Sequence, residues 1–267
     1  MNRLNVLIAL LPVALAGCGG TSLSGTASLT PEQAGGDSGA SAYPVSTAES
    51  TASNSGGERF NPFAIPEGGP PGGREVIANP TSEDILQAGP LPDMAFGRAD
   101  APVTIVEYAS LTCRFCRAFH KDVFPQLKRE LIDTGKVRFI LREFPIGKTS
   151  GAATIALRCA APEKYLELYG KYLDQQATWV AQEVRLDPIF KVAAQVGMTR
   201  PQFDACRENQ SMIDGLKWVK ERGRKLGVIG TPNFFVGDKL VKKVLTMDEI
   251  RSMVGAQIAA RSTAAAN

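Results

Sequence analysis

The chain has one histidine, His120, and two tryptophans, Trp179 and Trp218, in 267 residues. With a single imidazole, the ligands for a metal centre are scarce, and no metal or cofactor is expected. Charge of one sign is also lacking. The net charge is +3 and no long basic run or stripe appears, which points away from nucleic acid as a partner. The apolar stretch from Leu4 to Ala14, interrupted by Asn5 and Pro12, falls short of the roughly 20 residues a membrane span requires. Cysteine is sparse too. There are five, an odd number that demands an explanation in an exported protein.

The N-terminus offers that explanation. Met1-Asn2-Arg3 is a short basic region, and the apolar stretch behind it suits a secretory signal over residues 1–17. It ends in Leu15-Ala16-Gly17-Cys18, which resembles the bacterial lipobox. That resemblance implies cleavage before Cys18 and its lipidation, with the membrane as a partner through the lipid anchor. A plain signal peptide followed by a chance cysteine is the alternative. In a Gram-negative cell, Gly19 in place of an aspartate favours the outer membrane by analogy with other lipoproteins. The expected location is therefore the periplasmic side of the cell envelope. Four cysteines are then left for an oxidising compartment.

Between Gly19 and Glu58 there is no Lys or Arg and a single aromatic, Tyr43. Such a stretch buries too little apolar surface to offset its ordering entropy. With the Pro/Gly-rich continuation it is expected to form a disordered tether over residues 18–90. Folded structure is expected from Leu91. VTIVEYA (103–109) reads as a central strand, apolar on both faces. A helical pattern follows, with Phe115, Phe119, Val123, Leu127 and Leu131 along one side, a kink at Pro125 and a stop at Gly135. VRFILR (137–142) reads as a second strand. Residues 149–226 are almost wholly helical, broken at Pro162, Pro188, Gly197 and Pro201. Strands return at 233–236 and 239–244, and a last helix spans 247–259. The fold class is thus α/β: residues 91–148 and 227–260 share one sheet, an all-helical domain is inserted over 149–226, and 261–267 form a disordered tail.

Three motifs carry chemistry. Cys113-Arg114-Phe115-Cys116 sits between a strand and a helix, where the helix N-terminus stabilises a thiolate at Cys113 and Cys116 can close a disulfide. Half of a zinc site or an inert disulfide would look the same. Glu107 lies six residues upstream in the apolar strand. Burial there would disfavour its charged form and suit it to exchange a proton with the Cys116 thiol. A solvent-facing glutamate on an edge strand is the alternative. Thr231-Pro232 opens a strand after Gly230, a plausible place for a cis peptide. His120, Trp179, Trp218 and the charged run Lys217 to Lys225 read as a solvated helix residue, two packing residues and a solvated helix face.

Together these motifs, with YASLTCRFCRAF (108–119), resemble the DsbA-like thioredoxin family in its bacterial periplasmic branch, over roughly residues 93–259. The resemblance implies a thioredoxin fold, with Pro232 cis and facing the cysteines and Thr231 offering backbone to a substrate strand. It implies a protein disulfide oxidoreductase in which Cys113 attacks, Cys116 resolves and Glu107 relays a proton. The substrates would be cysteine-containing exported proteins, and an oxidase would need a DsbB-like membrane partner. Isomerase or reductase action, or a non-catalytic peptide- or copper-binding module, are the alternatives. Arg114-Phe115 departs from the family's Pro-His and leaves redox tuning open. Cys159 and Cys206 resemble a structural cysteine pair of part of the family, against a second redox pair or two free thiols.

Overall fold

The computed structural model describes residues 75–266. The signal at 1–17, Cys18 and the tether as far as residue 74 lie outside the described residues.

The elements, in chain order, are helix α1 (Ser82–Leu86), strands β1 (Met94–Phe96) and β2 (Val103–Ala109), helices α2 (Arg114–Asp122) and α3 (Phe124–Leu127), and strand β3 (Val137–Glu143). Six helices follow: α4 (Gly147–Arg158), α5 (Tyr165–Asp174), α6 (Gln176–Trp179), α7 (Leu186–Ala193), α8 (Arg200–Arg207) and α9 (Gln210–Lys225). Strands β4 (Asn233–Val236) and β5 (Lys239–Val241) and helix α10 (Met247–Ala266) complete the chain. The sheet runs β1-β3-β2-β4-β5. The β2–β3 pair is parallel, from Val103 opposite Val137 to Ala109 opposite Glu143, and the other pairs are antiparallel. A parallel pair needs a crossover, which α2, α3 and a π-helical turn at Lys128–Ile132 supply. Pro125 lacks the N–H that would continue α2 and stands in the first turn of α3 instead. Gly135, at φ 74°, lets the chain turn into β3.

Side chains alternate along β2, so Val103 and Ile105 enter the larger core with Phe119, Phe139 and Phe234. Val106 and Tyr108 face the opposite core, with Ile85, Ile140, Phe144 and Phe235. By the same alternation Glu107 shares the face of Ile105, the one covered by α2. The helical block packs tightly because α4 buries Ser150, Gly151, Ala152, Ala153 and Ala156, small residues that admit close helix neighbours. The prolines at 162, 188 and 201 open elements, Pro162 a 3-10 turn and Pro188 and Pro201 helices, and Gly197 closes one at φ 92°.

Several expectations are corrected. Order begins well before Leu91. The Ile77 N–H donates to the Lys225 carbonyl, and α1 carries a Thr81–Asp84 capping box and buries Ile85. A five-residue helix stands on such contacts from distant residues rather than on its own pattern. Strand β1 was not foreseen, and β5 stops at Val241. Helix α10 runs to Ala266, not Ala259, because its Ala-rich end has high helix propensity and no glycine or proline to stop it. The charged run in α9 is not simply a solvated face. Lys220 is buried with Nζ 2.7 Å from the Pro145 carbonyl, and a Cβ at Gly223 would lie 2.6 Å from Tyr108 Cε1. Helix α9 lies against the sheet there, so one side of the run faces the core.

Candidate active site

Cys113 is the N-cap of α2, in extended conformation, and its Sγ accepts the Cys116 N–H at 3.3 Å. An N-cap sulfur meets the unpaired N–H groups and the positive end of the helix dipole, which favour the thiolate. The Cys113 thiol falls from 9.0 to about 6. The hydrogen bond with the Cys116 thiol contributes most to that fall. The Thr231 side chain and the backbone N–H groups of Cys116 and Phe115 add to it, and burial opposes them. The protonated thiol donates to the Thr231 carbonyl at 3.1 Å, which brings the Thr231–Pro232 loop onto the sulfur. That peptide bond is cis.

Cys116 lies one turn deeper, with no exposed surface. Burial holds its thiol well above the usual range, helped by Cys113 and by the charge of Glu107. Both cysteines carry free thiols. The two sulfurs are therefore divided, the outer one toward thiolate and the inner one toward thiol.

Glu107 is fully buried opposite Leu141 and Phe234, so the edge-strand alternative falls. Its Oε2 lies 2.8 Å from His120 Nε2, and its Oε1 is buried without a hydrogen-bond partner. His120 is consequently not a solvated residue. Its side chain keeps only 7% exposure and its ring packs on Phe119, Phe124 and Tyr169. Helical spacing could have revealed this, since His120 follows Cys116 by four residues and shares its face.

Other contributors left no motif. Gln176 Nε2, from the helical block, donates to the carbonyls of Leu111 (2.8 Å) and Cys113 (3.2 Å). Ser110 Oγ joins Ser150 Oγ at 2.8 Å and accepts from the Ile146 N–H. Arg114 is exposed and stacks over the ring of its neighbour Phe115 at 4.8 Å. Phe115 stands 49% exposed rather than on the buried side of the helix. Ile146 and Ile229, in the segments bordering Cys113, are also exposed.

Cys159 and Cys206 form a disulfide with Cα atoms 6.1 Å apart, which joins the end of α4 to the last turn of α8. Among the described residues no cluster of His, Cys, Asp or Glu is arranged to hold a metal ion, and no helix is long and apolar enough to cross a membrane.

A family model described as Thioredoxin matches residues 91–256, more than half of the chain. The chain belongs to the thioredoxin family. Within the family its likeness is to DsbA-type proteins. The structure of Wolbachia pipientis alpha-DsbA1 is 28% identical, with a TM-score of 0.59 over 67% of this chain and 98% of that one. Disulfide bond formation protein D of Bacillus subtilis is 26% identical over 165 residues, 59% of this chain and 73% of the relative. A Rickettsia conorii protein assigned as a protein-disulfide oxidoreductase is 30% identical over 149 residues, 54% of this chain and 53% of the relative. The chain thus spans about half the length of the rickettsial relatives it matches.

Proposed function

We propose that this chain is a thiol-disulfide oxidoreductase of exported proteins that works chiefly as an oxidase. The observation that carries the reading is the placement of the pair, with Cys113 capping the N-terminus of α2 and favoured as thiolate, and Cys116 fully buried and held as thiol. A stabilised thiolate favours the reduced enzyme, so its disulfide is the stronger oxidant. In the oxidised protein a substrate thiolate attacks Cys113 Sγ. The Cys113–Cys116 bond breaks, and Cys116 leaves with the electron pair and takes a proton with Glu107 beside it. A second substrate thiolate attacks the substrate sulfur of the mixed disulfide and expels Cys113 as thiolate. Two electrons now rest on the enzyme, and a DsbB-like membrane partner would remove them.

Thr231 and Pro232 border the attacked sulfur and would align a substrate strand by its backbone. The exposed Phe115, Ile146 and Ile229 suit unfolded, apolar stretches around a substrate cysteine. Lipidation at Cys18 would hold the enzyme at the envelope, the outer membrane in a Gram-negative cell. Fractionation of wild type and Cys18→Ala with an acyl label tests that separately.

The test of function is oxidation of a reduced, unfolded substrate by stoichiometric oxidised protein, beside insulin reduction. The expected result is fast substrate oxidation, abolished in Cys113→Ser. Insulin reduction without substrate oxidation would make it a reductase, and inactivity in both assays would leave a binding module.

A further inference from the structure

This inference rests on the proposed proton exchange between Cys116 and Glu107 and concerns the group beyond it. Glu107 lies in the middle of β2 with no exposed surface. A carboxyl sealed in this way can hand one proton to the Cys116 sulfur, but it has no direct route to recover it from water. Its Oε2 is taken by His120 Nε2 at 2.8 Å, and its Oε1, with no hydrogen-bond partner, remains available for a transferred proton.

The groups facing this pair come from several elements. Helix α2 supplies Cys113 and Cys116, α3 supplies Phe124 and α5 supplies Tyr165 and Tyr169. Burial holds both tyrosines well above the ordinary phenol range, so they stay neutral. Glu143 and Arg158, 3.3 Å apart, lie beyond the Tyr165 hydroxyl. His120 is the titratable side chain bonded to Glu107, and it retains a little exposure.

We propose that His120 is the positioning residue that carries a proton between buried Glu107 and solvent during disulfide exchange. When a substrate thiolate attacks Cys113, the electron pair of the broken S–S bond goes to Cys116. The His120 imidazolium gives a proton to the Glu107 carboxylate, Glu107 passes one to Cys116, and the imidazole takes its proton back from water. When Cys116 attacks a mixed disulfide, the same protons run outward and the substrate leaves as thiolate. Imidazole suits this place because its two ring nitrogens can take a proton on one side and give one up on the other.

The experiment follows release of a chromogenic thiol from its mixed disulfide with Cys113, in single turnover across pH. Wild type should show an inflection that depends on the His120 ring. His120→Gln keeps a hydrogen-bond donor but no titration. It should lose the inflection and slow the step roughly tenfold, less than the full contribution of a positioned acid–base group. A His120→Gln profile that overlays wild type overturns the proposal if Glu107→Gln still slows the step. If Glu107→Gln also leaves the step unchanged, the proton role of Glu107 falls with it. A second measurement needs no variant. His120 is the only histidine, so its ring resonances can be followed without overlap. They should respond to oxidation of the cysteine pair, and indifference to it overturns the proposal.

Discussion

Cys113–Cys116 and Cys159–Cys206 are two cysteine pairs placed at opposite ends of helices. Cys113 caps the N-terminus of α2, where the dipole and free N–H groups favour an anion. Cys159 caps the C-terminus of α4, and Cys206 lies in the last turn of α8, where the dipole disfavours one. The first pair is free and meets the Thr231–Pro232 loop, while the second is bonded and ties the helical block together. Helix polarity thus helps separate the proposed reactive pair from the bonded one, with the Cys116 hydrogen bond and the Thr231 loop adding to it at Cys113.

The largest test of that contrast uses single serines. Cys116→Ser should accumulate mixed disulfides with substrates through Cys113, because the resolving thiol is gone. Cys206→Ser, with Cys159 left at a helix C-terminus, should accumulate none. Non-reducing gels of alkylated extracts read both, and equal trapping would erase the contrast. Next is stability. The bridge closes a sequence separation of 47 residues, so Cys159→Ser with Cys206→Ser should cost about 4 kcal/mol by chain entropy. Denaturant midpoints of the oxidised proteins check this, and substrate oxidation should persist.

The third test is pH. Folding lowers Cys113 from 9.0 to about 6, so the folded form favours the thiolate. In the reduced protein that contribution is fully present above about 9, declines as pH falls, and is gone below about 6. Reduced wild type should therefore gain stability over reduced Cys113→Ser as pH rises through that window. The oxidised protein has no titrating thiol there and should show no such term. The smallest effect is expected at Arg114→Ala. Its guanidinium stacks on Phe115, and the leading causes of the lowered Cys113 are hydrogen bonds from Cys116, Thr231 and the Phe115 backbone, so thiolate titration should stay nearly in place. A clear rise would restore Arg114 as the tuning charge.

Much of the site was legible because its parts are local. The strand, the CxxC and the helix behind it follow within a few residues, and Glu107 stood out as an acid in an apolar run. What was missed depends on contacts from afar. Helix α1 is held by α9 and by Arg142, whose Nη1 donates to the Ile85 carbonyl. Strand β1 has three residues and pairs with β3 across more than forty positions, too short for any alternation to register. Gln176 reaches the cysteine loop only once the helical block has folded back. His120 was misread because its face of α2 has a partner only when β2 is placed beneath it.

The central claim is that Cys113, at the helix N-terminus, is the nucleophile, with Cys116 held as its protonated reserve. It is tested most directly by the pH dependence of alkylation of the reduced protein, with the labelled cysteine identified by mass. The account predicts modification at Cys113 alone, with a midpoint near 6. A midpoint at or above the ordinary thiol value of about 8.5, or equal labelling of Cys116, would contradict it.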